Sequence, residues 1–299
     1  MKKTAIIDIG SNSVRLGVFS GGIAEYKTLI TSRLGEGARG GYLAEASVNR
    51  TVSAVSALKE RAFFMGASEI YAFATEAVRH AENGADFTRG VLSETGIKVY
   101  VASGEEEARF AVFGALGRDD GAVIDLGGAS TEVAVQRGEN IIYWHSLPLG
   151  AVTLRDACGV GRSALTAYIT QKTAEYGSMP HAEKILAVGG TATSVAACVI
   201  GLEKYDSAKV HGARVTAEDI ANLADRLENL SPQEIASTYP VDVRRAEIIF
   251  GGALLLKGVL GAMGAKEYFA GESDNLEGFI KFTASGAAEG FRFVYGGEK

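Results

Sequence analysis

The chain has 299 residues, 47% apolar and 22% charged, which is ordinary globular usage and excludes disorder, collagen and coiled coil. Its formal charge of −6 argues against a general binder of nucleic acid or anionic membranes, though not against a local anion site. Glycine, at 38 residues, has about twice its average share and proline, at 4, far less than its own, so many tight turns are expected.

The first predicted element is a strand over Thr4–Ile9, in which Asp8 interrupts any signal-peptide core. A glycine turn follows, then a second strand marked by alternating Val14, Leu16 and Val18 and a third near Glu25–Leu34. The run Gly35-Glu36-Gly37-Ala38-Arg39-Gly40 fits G-x-G-x-x-G, but a polar strand precedes it and no helix opens within it, so it is not read as a dinucleotide site. A helix is predicted over Ala46–Met65, with Val48, Val52, Val55, Leu58 and Ala62 on one stripe. Then come a strand at Ile70–Ala74, a helix at Asp86–Thr95, a strand at Lys98–Val101 and a helix at Glu105–Gly114. A linker is placed at Gly117–Gly121, giving domains 1–117 and 118–299, the last residues of the chain being set back on the first domain.

The second half restarts the strand pattern at Val123, followed by a helix at Arg162–Tyr176, a strand at Lys184–Val188 and a helix at Thr191–Ile200. Further helices fit Ala217–Leu230 and Arg245–Val259; the apolar stretch Ile248–Ala265 holds Lys257 and several glycines and reads as a buried helix, not a membrane span. Alternating strands and helices of this kind indicate an α/β fold in two halves. Two cysteines, Cys158 and Cys198, and four scattered histidines show neither a disulfide framework nor zinc-ligand spacing, which favours a reducing cytoplasm.

The two halves share a motif. Asp8–Val18 and Asp125–Val135 align without a gap, each as strand, glycine turn and strand with Asp closing the first strand. No GK[ST] occurs, and a strand follows the turn instead of a helix, so these are not P-loops. Hairpin tips of this kind expose N–H groups that can wrap an anion. Carboxylates beside such a cradle make chemical sense when a divalent cation lies between them and phosphate oxygens, which makes Asp8, Asp125 and Glu132 candidate metal ligands. A third glycine turn, Gly189-Gly190-Thr191, opens a helix and reads either as a phosphate contact or as a plain strand-to-helix turn. Ser103 with Glu106 forms a capping box. Glu107 has no such local use and is either a surface carboxylate or a base acting on water. Arg79, just after a strand, is open between a phosphate contact and a surface residue.

With these motifs in place, the chain resembles the exopolyphosphatase/guanosine pentaphosphate phosphohydrolase (Ppx/GppA) family, in its short two-domain form, within the actin-like ATPase superfamily. The resemblance rests on Ile7–Leu16, Arg33–Gly37, Ala74–Arg79 with Asn83, Ser103–Arg109, Asp125–Glu132, Ser146–Val152 and Gly189–Thr191. It implies two ribonuclease-H-like domains around an interdomain cleft. It further implies Mg²⁺-dependent release of terminal phosphate from inorganic polyphosphate, conversion of guanosine pentaphosphate (pppGpp) to the tetraphosphate, or both; other divalent cations fit as well. Glu107 inherits the role of catalytic base, and Asp125 and Glu132 inherit catalytic and metal roles, with Asp8 as a further metal ligand. Phosphate binding falls to Gly10, Ser11, Asn12, Ser13, Arg15, Arg79, Gly127, Gly128, Ala129, Ser130, Thr131, Gly190 and Thr191. Ala129 stands where the family has a third glycine and would resist a positive φ. Longer members carry an additional C-terminal helical domain, which bears on chain-length preference.

The partners implied are therefore polyphosphate or guanosine pentaphosphate, with no nucleic acid and no membrane; a homodimer is compatible with this reading. Two rivals are a non-hydrolytic polyphosphate or alarmone sensor and a small-molecule kinase of the same superfamily. A filament-forming actin relative would leave the glutamate-led helix without a purpose.

Overall fold

The computed structural model describes residues 2–37, 41–117, 119–138, 140–272, 275–284, 286 and 288–294. Ala38–Gly40 of the first glycine-rich run and Arg118 of the expected linker lie outside them. The chain divides into two compact units, Met1–Gly114 with Asn275–Lys299 and Ala115–Asp274.

The first unit runs β1 (Lys3–Ile9), β2 (Ser13–Ser20), β3 (Ile23–Thr31), α1 (Glu45–Phe64), β4 (Ala67–Ala74), α2 (Glu76–Arg79), α3 (Gly84–Thr95), β5 (Val99–Val101) and α4 (Gly104–Ala115). The second runs β6 (Gly121–Leu126), β7 (Thr131–Arg137), β8 (Asn140–Leu147), α5 (Ala151–Cys158), α6 (Arg162–Thr173), β9 (Ile185–Val188) and α7 (Gly189–Val199). It continues with α8 (Ser207–Val210), β10 (Arg214–Thr216), α9 (Ala217–Leu227), α10 (Pro232–Thr238), α11 (Val243–Ala262) and β11 (Glu267–Ala270). The chain then returns to the first unit with α12 (Asn275–Ala284) and β12 (Phe293–Val294).

Each unit holds one mixed sheet flanked by helices, the α/β class expected. The strand orders are β12-β4-β1-β2-β3, with β5 on β4, and β10-β11-β9-β6-β7-β8. The internal repeat is real at this level. In each unit the first strand pairs antiparallel with the second and parallel with a later one: β1 with β2 and β4, β6 with β7 and β9.

Period-two alternation decides what each face of the first sheet buries. Ala5, Ile7 and Ile9 pack with Val55, Leu58 and Val91 of α1 and α3. Ile6 faces the other way, with Phe73, Phe110 and Phe279, so Asp8 shares the face of Ile6. In the second unit Ala122, Ile124 and Leu126 join the helical core, and Asp125 falls on the opposite face. At the centre of that core, α11 buries Leu254, Leu255 and Leu256 in succession and packs on α5, α6, α7, α9 and α10. A helix apolar all round must be enclosed, and among the described residues no helix is long and apolar enough to cross a membrane.

The return of α12 onto α4 depends on Gly278. A Cβ there would lie 1.8 Å from the Phe110 carbonyl oxygen, while Phe279 beside it stacks on Phe73 at 4.4 Å. Gly278→Ala is therefore expected to destabilise the fold by about 1–3 kcal/mol, as overpacking does. Thermal denaturation reads this directly; an unchanged midpoint would show that α12 is not held at this distance.

Candidate active site

The two glycine turns close on the same hydrogen bond. Gly10 N–H donates to Ser13 O at 3.0 Å, and Gly127 N–H to Ser130 O at 3.0 Å. The segment after each third strand then holds the turn from behind. In the first unit Ser32 and Arg33 N–H donate to Asn12 O at 3.1 and 2.8 Å, and Gly35 N–H donates to Ser11 O at 2.8 Å. Arg33 adopts φ +53 to present these amides, the one non-glycine residue with positive φ among those described. In the second unit the first amides of α5 do the same work. Ala151 N–H donates to Gly127 O at 3.1 Å, and Val152 and Thr153 N–H donate to Gly128 O at 2.8 and 3.1 Å. The Thr153 hydroxyl reaches Ala129 O at 3.2 Å.

With those carbonyls tied back, the turn amides are left for something else. Among the described residues, the N–H groups of Ser11, Asn12, Gly128, Ala129 and Ser130 donate to no backbone carbonyl. Ser11, Asn12, Gly128 and Ala129 are exposed. Successive outward amides of this kind form an anion-binding concavity. Ala129 costs the turn nothing: neither it nor Gly127 nor Gly128 has a positive φ, contrary to the strain expected from the sequence. What the second turn requires instead is Gly150. Its Cβ would fall 2.4 Å from Gly128 C and 2.6 Å from Ala129 N.

Two expected phosphate contacts are turned inward. Thr131 is 0% exposed and donates its hydroxyl to Leu149 O at 2.6 Å, which fixes the chain leading into α5. Thr191 is 1% exposed, with its methyl pressed against Gly252 of α11. The Thr131 hydroxyl is thus spent on backbone, while the buried Thr191 hydroxyl makes no hydrogen bond among the described residues. In the third turn the demanding position is Gly189, at φ +87, where a Cβ would lie 2.7 Å from Leu126 O and 2.8 Å from Asp125 Oδ1. The N-terminus of α7 thus sits against the Asp125 carboxylate, with the positive end of its dipole toward it. Gly190 lies under the Arg245 guanidinium, whose Nη2 would be 2.5 Å from a Cβ. Burial lowers the pKa of Arg245 from the ordinary arginine value.

The two Asp residues stand in different electrostatic settings. Asp8 registers with Arg15 across β1 and β2, whereas Asp125 registers with Glu132 across β6 and β7. Asp8 is 2% exposed, and its Oδ2 accepts from Arg15 Nε at 2.9 Å and from Arg15 Nη2. Arg15 thus gives the Asp8 carboxylate a counter-charge through Oδ2, which Asp125, facing Glu132 in register, does not receive from its own strand partner. Arg15 commits Nε and Nη2 to this carboxylate while staying 30% exposed. Removing the cation, as in Arg15→Met, leaves a buried carboxylate facing it. Stability is expected to fall toward the lower end of about 3–5 kcal/mol, since Arg15 is 30% exposed. A denaturation midpoint equal to that of the wild type would refute the pairing.

Like charges directly opposite on neighbouring strands repel, so the Asp125–Glu132 pair suits a site that receives positive charge. Ser146 Oγ donates to Glu132 Oε1 at 2.7 Å and orients it. Two carboxylates match what Mg²⁺ usually takes from a protein. Among the described residues no group of three or more His, Cys, Asp or Glu is assembled, so further oxygen ligands would have to come from water or phosphate.

In the first unit, α4 carries three consecutive glutamates with three different environments. Glu105 is exposed and paired with Arg109. Glu106 closes the capping box, accepting from Ser103 N–H and Oγ at 2.9 Å each, and accepts from the Tyr100 hydroxyl. Burial opposes ionisation of Glu106, but these hydrogen bonds outweigh it and lower its pKa. Burial, reinforced by Glu106, pushes the Tyr100 phenol up to about 12. Glu107 is 25% exposed and meets Arg79, whose Nη1 donates to Glu107 Oε2 at 3.1 Å and to Ala102 O at 2.7 Å.

The family model described as the Ppx/GppA phosphatase family matches residues 26–271. The bifunctional 3-dehydroquinate synthase/phosphatase of Fusobacterium nucleatum is 28% identical over 92% of this chain, which spans only 46% of that protein. Exopolyphosphatase 2 of Mycobacterium tuberculosis is 27% identical over 86% of this chain and 89% of its own length. The crystal structure of the Aquifex aeolicus Ppx/GppA family member superposes with a TM-score of 0.82 at 26% identity, covering 95% of this chain and 98% of that one.

Proposed function

The chain belongs to the Ppx/GppA phosphatase family, and on that footing we propose that it hydrolyses the terminal phosphoanhydride bond of inorganic polyphosphate, of guanosine pentaphosphate, or of both, in the cytoplasm and with a divalent cation such as Mg²⁺. The name of its mycobacterial relative supports polyphosphate. The observation that carries the reading is the pair of matching glycine turns, both with outward amides and only one with opposed carboxylates.

The outward amides of Ser11 and Asn12, and those of Gly128, Ala129 and Ser130, take phosphate oxygens, and Gly190 brings the α7 N-terminus to such a task. Asp125 and Glu132 would hold the cation, which supplies charge neutralisation for the phosphate oxygens. Glu107 accepts a proton from the attacking water while the water oxygen bonds to the terminal phosphorus. The bridging P–O bond breaks, and its electrons leave on the shortened chain. Little covalent work falls to the protein in such a transfer; positioning and charge do most of it.

Phosphate release from short polyphosphate, long polyphosphate and guanosine pentaphosphate, each with and without Mg²⁺, tests the proposal. Release from at least one substrate only with metal is the expected outcome. Tight binding without release would favour the sensor, and consumption of ATP only with an acceptor would favour the kinase.

A further inference from the structure

We propose that Arg79 is the positioning residue for Glu107, holding its carboxylate ionised and aimed, a duty separate from any contact with phosphate. This rests on the reading of Glu107 as the base.

The contact is built from fixed parts. Arg79 closes the single turn of α2, where Val78 and Arg79 N–H both donate to Thr75 O at 3.1 Å. Val78 is 3% exposed, and a Cβ on Gly84 would lie 2.2 Å from its carbonyl oxygen, so the backbone before Arg79 is packed tightly. On the receiving side Ala102 is 0% exposed and its N–H donates to Ala74 O at 3.0 Å. The Arg79 Nη1 therefore ties Glu107 Oε2 to a carbonyl anchored on the end of β4.

Arg79 and Glu107 are 23% and 25% exposed, so water screens their attraction less than that of a surface pair. A cation at this distance favours the charged carboxylate, and the nearby start of α4 adds to the effect. Most other charged groups on the surrounding elements have partners of their own. Tyr100 of β5 donates to Glu106, Glu105 pairs with Arg109, and Asp8 of β1 is held by Arg15. On α12, Glu277 pairs with Lys27 and Lys281 donates to Phe113 O. Glu76 begins α2, and His80 follows Arg79. Arginine adds what lysine lacks: with Nη1 serving both acceptors, among the described contacts Nε and Nη2 donate to nothing. That edge stays available to a phosphate oxygen.

The test compares wild type, Arg79→Gln, Arg79→Lys and Glu107→Gln by phosphate release from a short polyphosphate at saturating Mg²⁺, with kcat and KM followed across pH. Arg79→Gln should lower kcat about 10- to 100-fold through misplacement of the base. It should also move the acid limb of the kcat profile to higher pH, because removing a neighbouring positive charge makes the carboxylate easier to protonate. Arg79→Lys should return the limb toward its wild-type position with an intermediate kcat. A raised KM with the acid limb unmoved would overturn the inference and leave Arg79 a phosphate contact only. If circular dichroism shows that Arg79→Gln does not fold, Arg79→Lys is read alone: lower kcat at unchanged KM supports the inference, and raised KM at unchanged kcat overturns it. Glu107→Gln separates the two readings. Full activity there defeats the base assignment itself; loss there beside an unmoved limb in Arg79→Gln defeats only the positioning role.

Discussion

Glu107→Gln is expected to cut kcat for phosphate release by about 10²–10⁴-fold, the usual contribution of a positioned general base, with KM nearly unchanged. Gln keeps the length and shape of the side chain but cannot take a proton from water. Neither neighbour can substitute. Glu105 is 69% exposed and paired with Arg109, and Glu106 is committed to Ser103 and Tyr100. Substrate affinity should survive, because the outward amides of the glycine turns do not depend on Glu107. Steady-state kinetics together with a direct binding measurement on the variant decide the matter. Wild-type turnover would remove Glu107 from the chemistry, and loss of binding with loss of turnover would make it a ligand instead.

Gly150→Ala is expected to be nearly as damaging, from a residue that need touch no substrate. Its φ of −121 is open to any residue, so the effect comes from crowding and not from backbone strain. The new methyl would stand 2.4 Å from Gly128 C, 2.5 Å from Gly128 O and 2.6 Å from Ala129 N. The second turn must move outward or α5 must move back, and the latter breaks the bonds from Ala151, Val152 and Thr153 that shape the turn. A displacement of about 1 Å can cost on the order of 10²-fold in rate. Both kcat and KM should suffer while helix content by circular dichroism stays near the wild-type level. Kinetics like those of the wild type would show that the turn tolerates the shift and that its geometry is not what binds.

How much of this is legible in the sequence depends on the range of the interactions involved. The repeat around Asp8 and Asp125 is local, since alternation and a glycine turn appear within eleven residues, and the two sheets bear it out in their shared strand order. The Ser103–Glu106 box is equally local and forms as expected. The different partners of the two Asp residues are also written in the chain, as Arg15 and Glu132 at matching positions, but they acquire meaning only when β-pairing sets them opposite Asp8 and Asp125. The packing demands on Gly150 and Gly278 are not visible in the sequence because each answers to a backbone brought near by tertiary packing, in the latter case from α4. Thr131 and Thr191 look like ligands because small hydroxyls beside glycine suit phosphate and core packing alike; only burial separates the two uses.

The most direct measurement is hydrolysis of polyphosphate in oxygen-18-labelled water, with and without Mg²⁺, followed by mass analysis of the released orthophosphate. Attack of water on the terminal phosphorus, with Glu107 as the base, places one labelled oxygen in each phosphate released, and only when the metal is present. Unlabelled phosphate, or no release with Mg²⁺ from either polyphosphate or guanosine pentaphosphate assayed in the same way, would contradict the assignment of this chain as a phosphohydrolase.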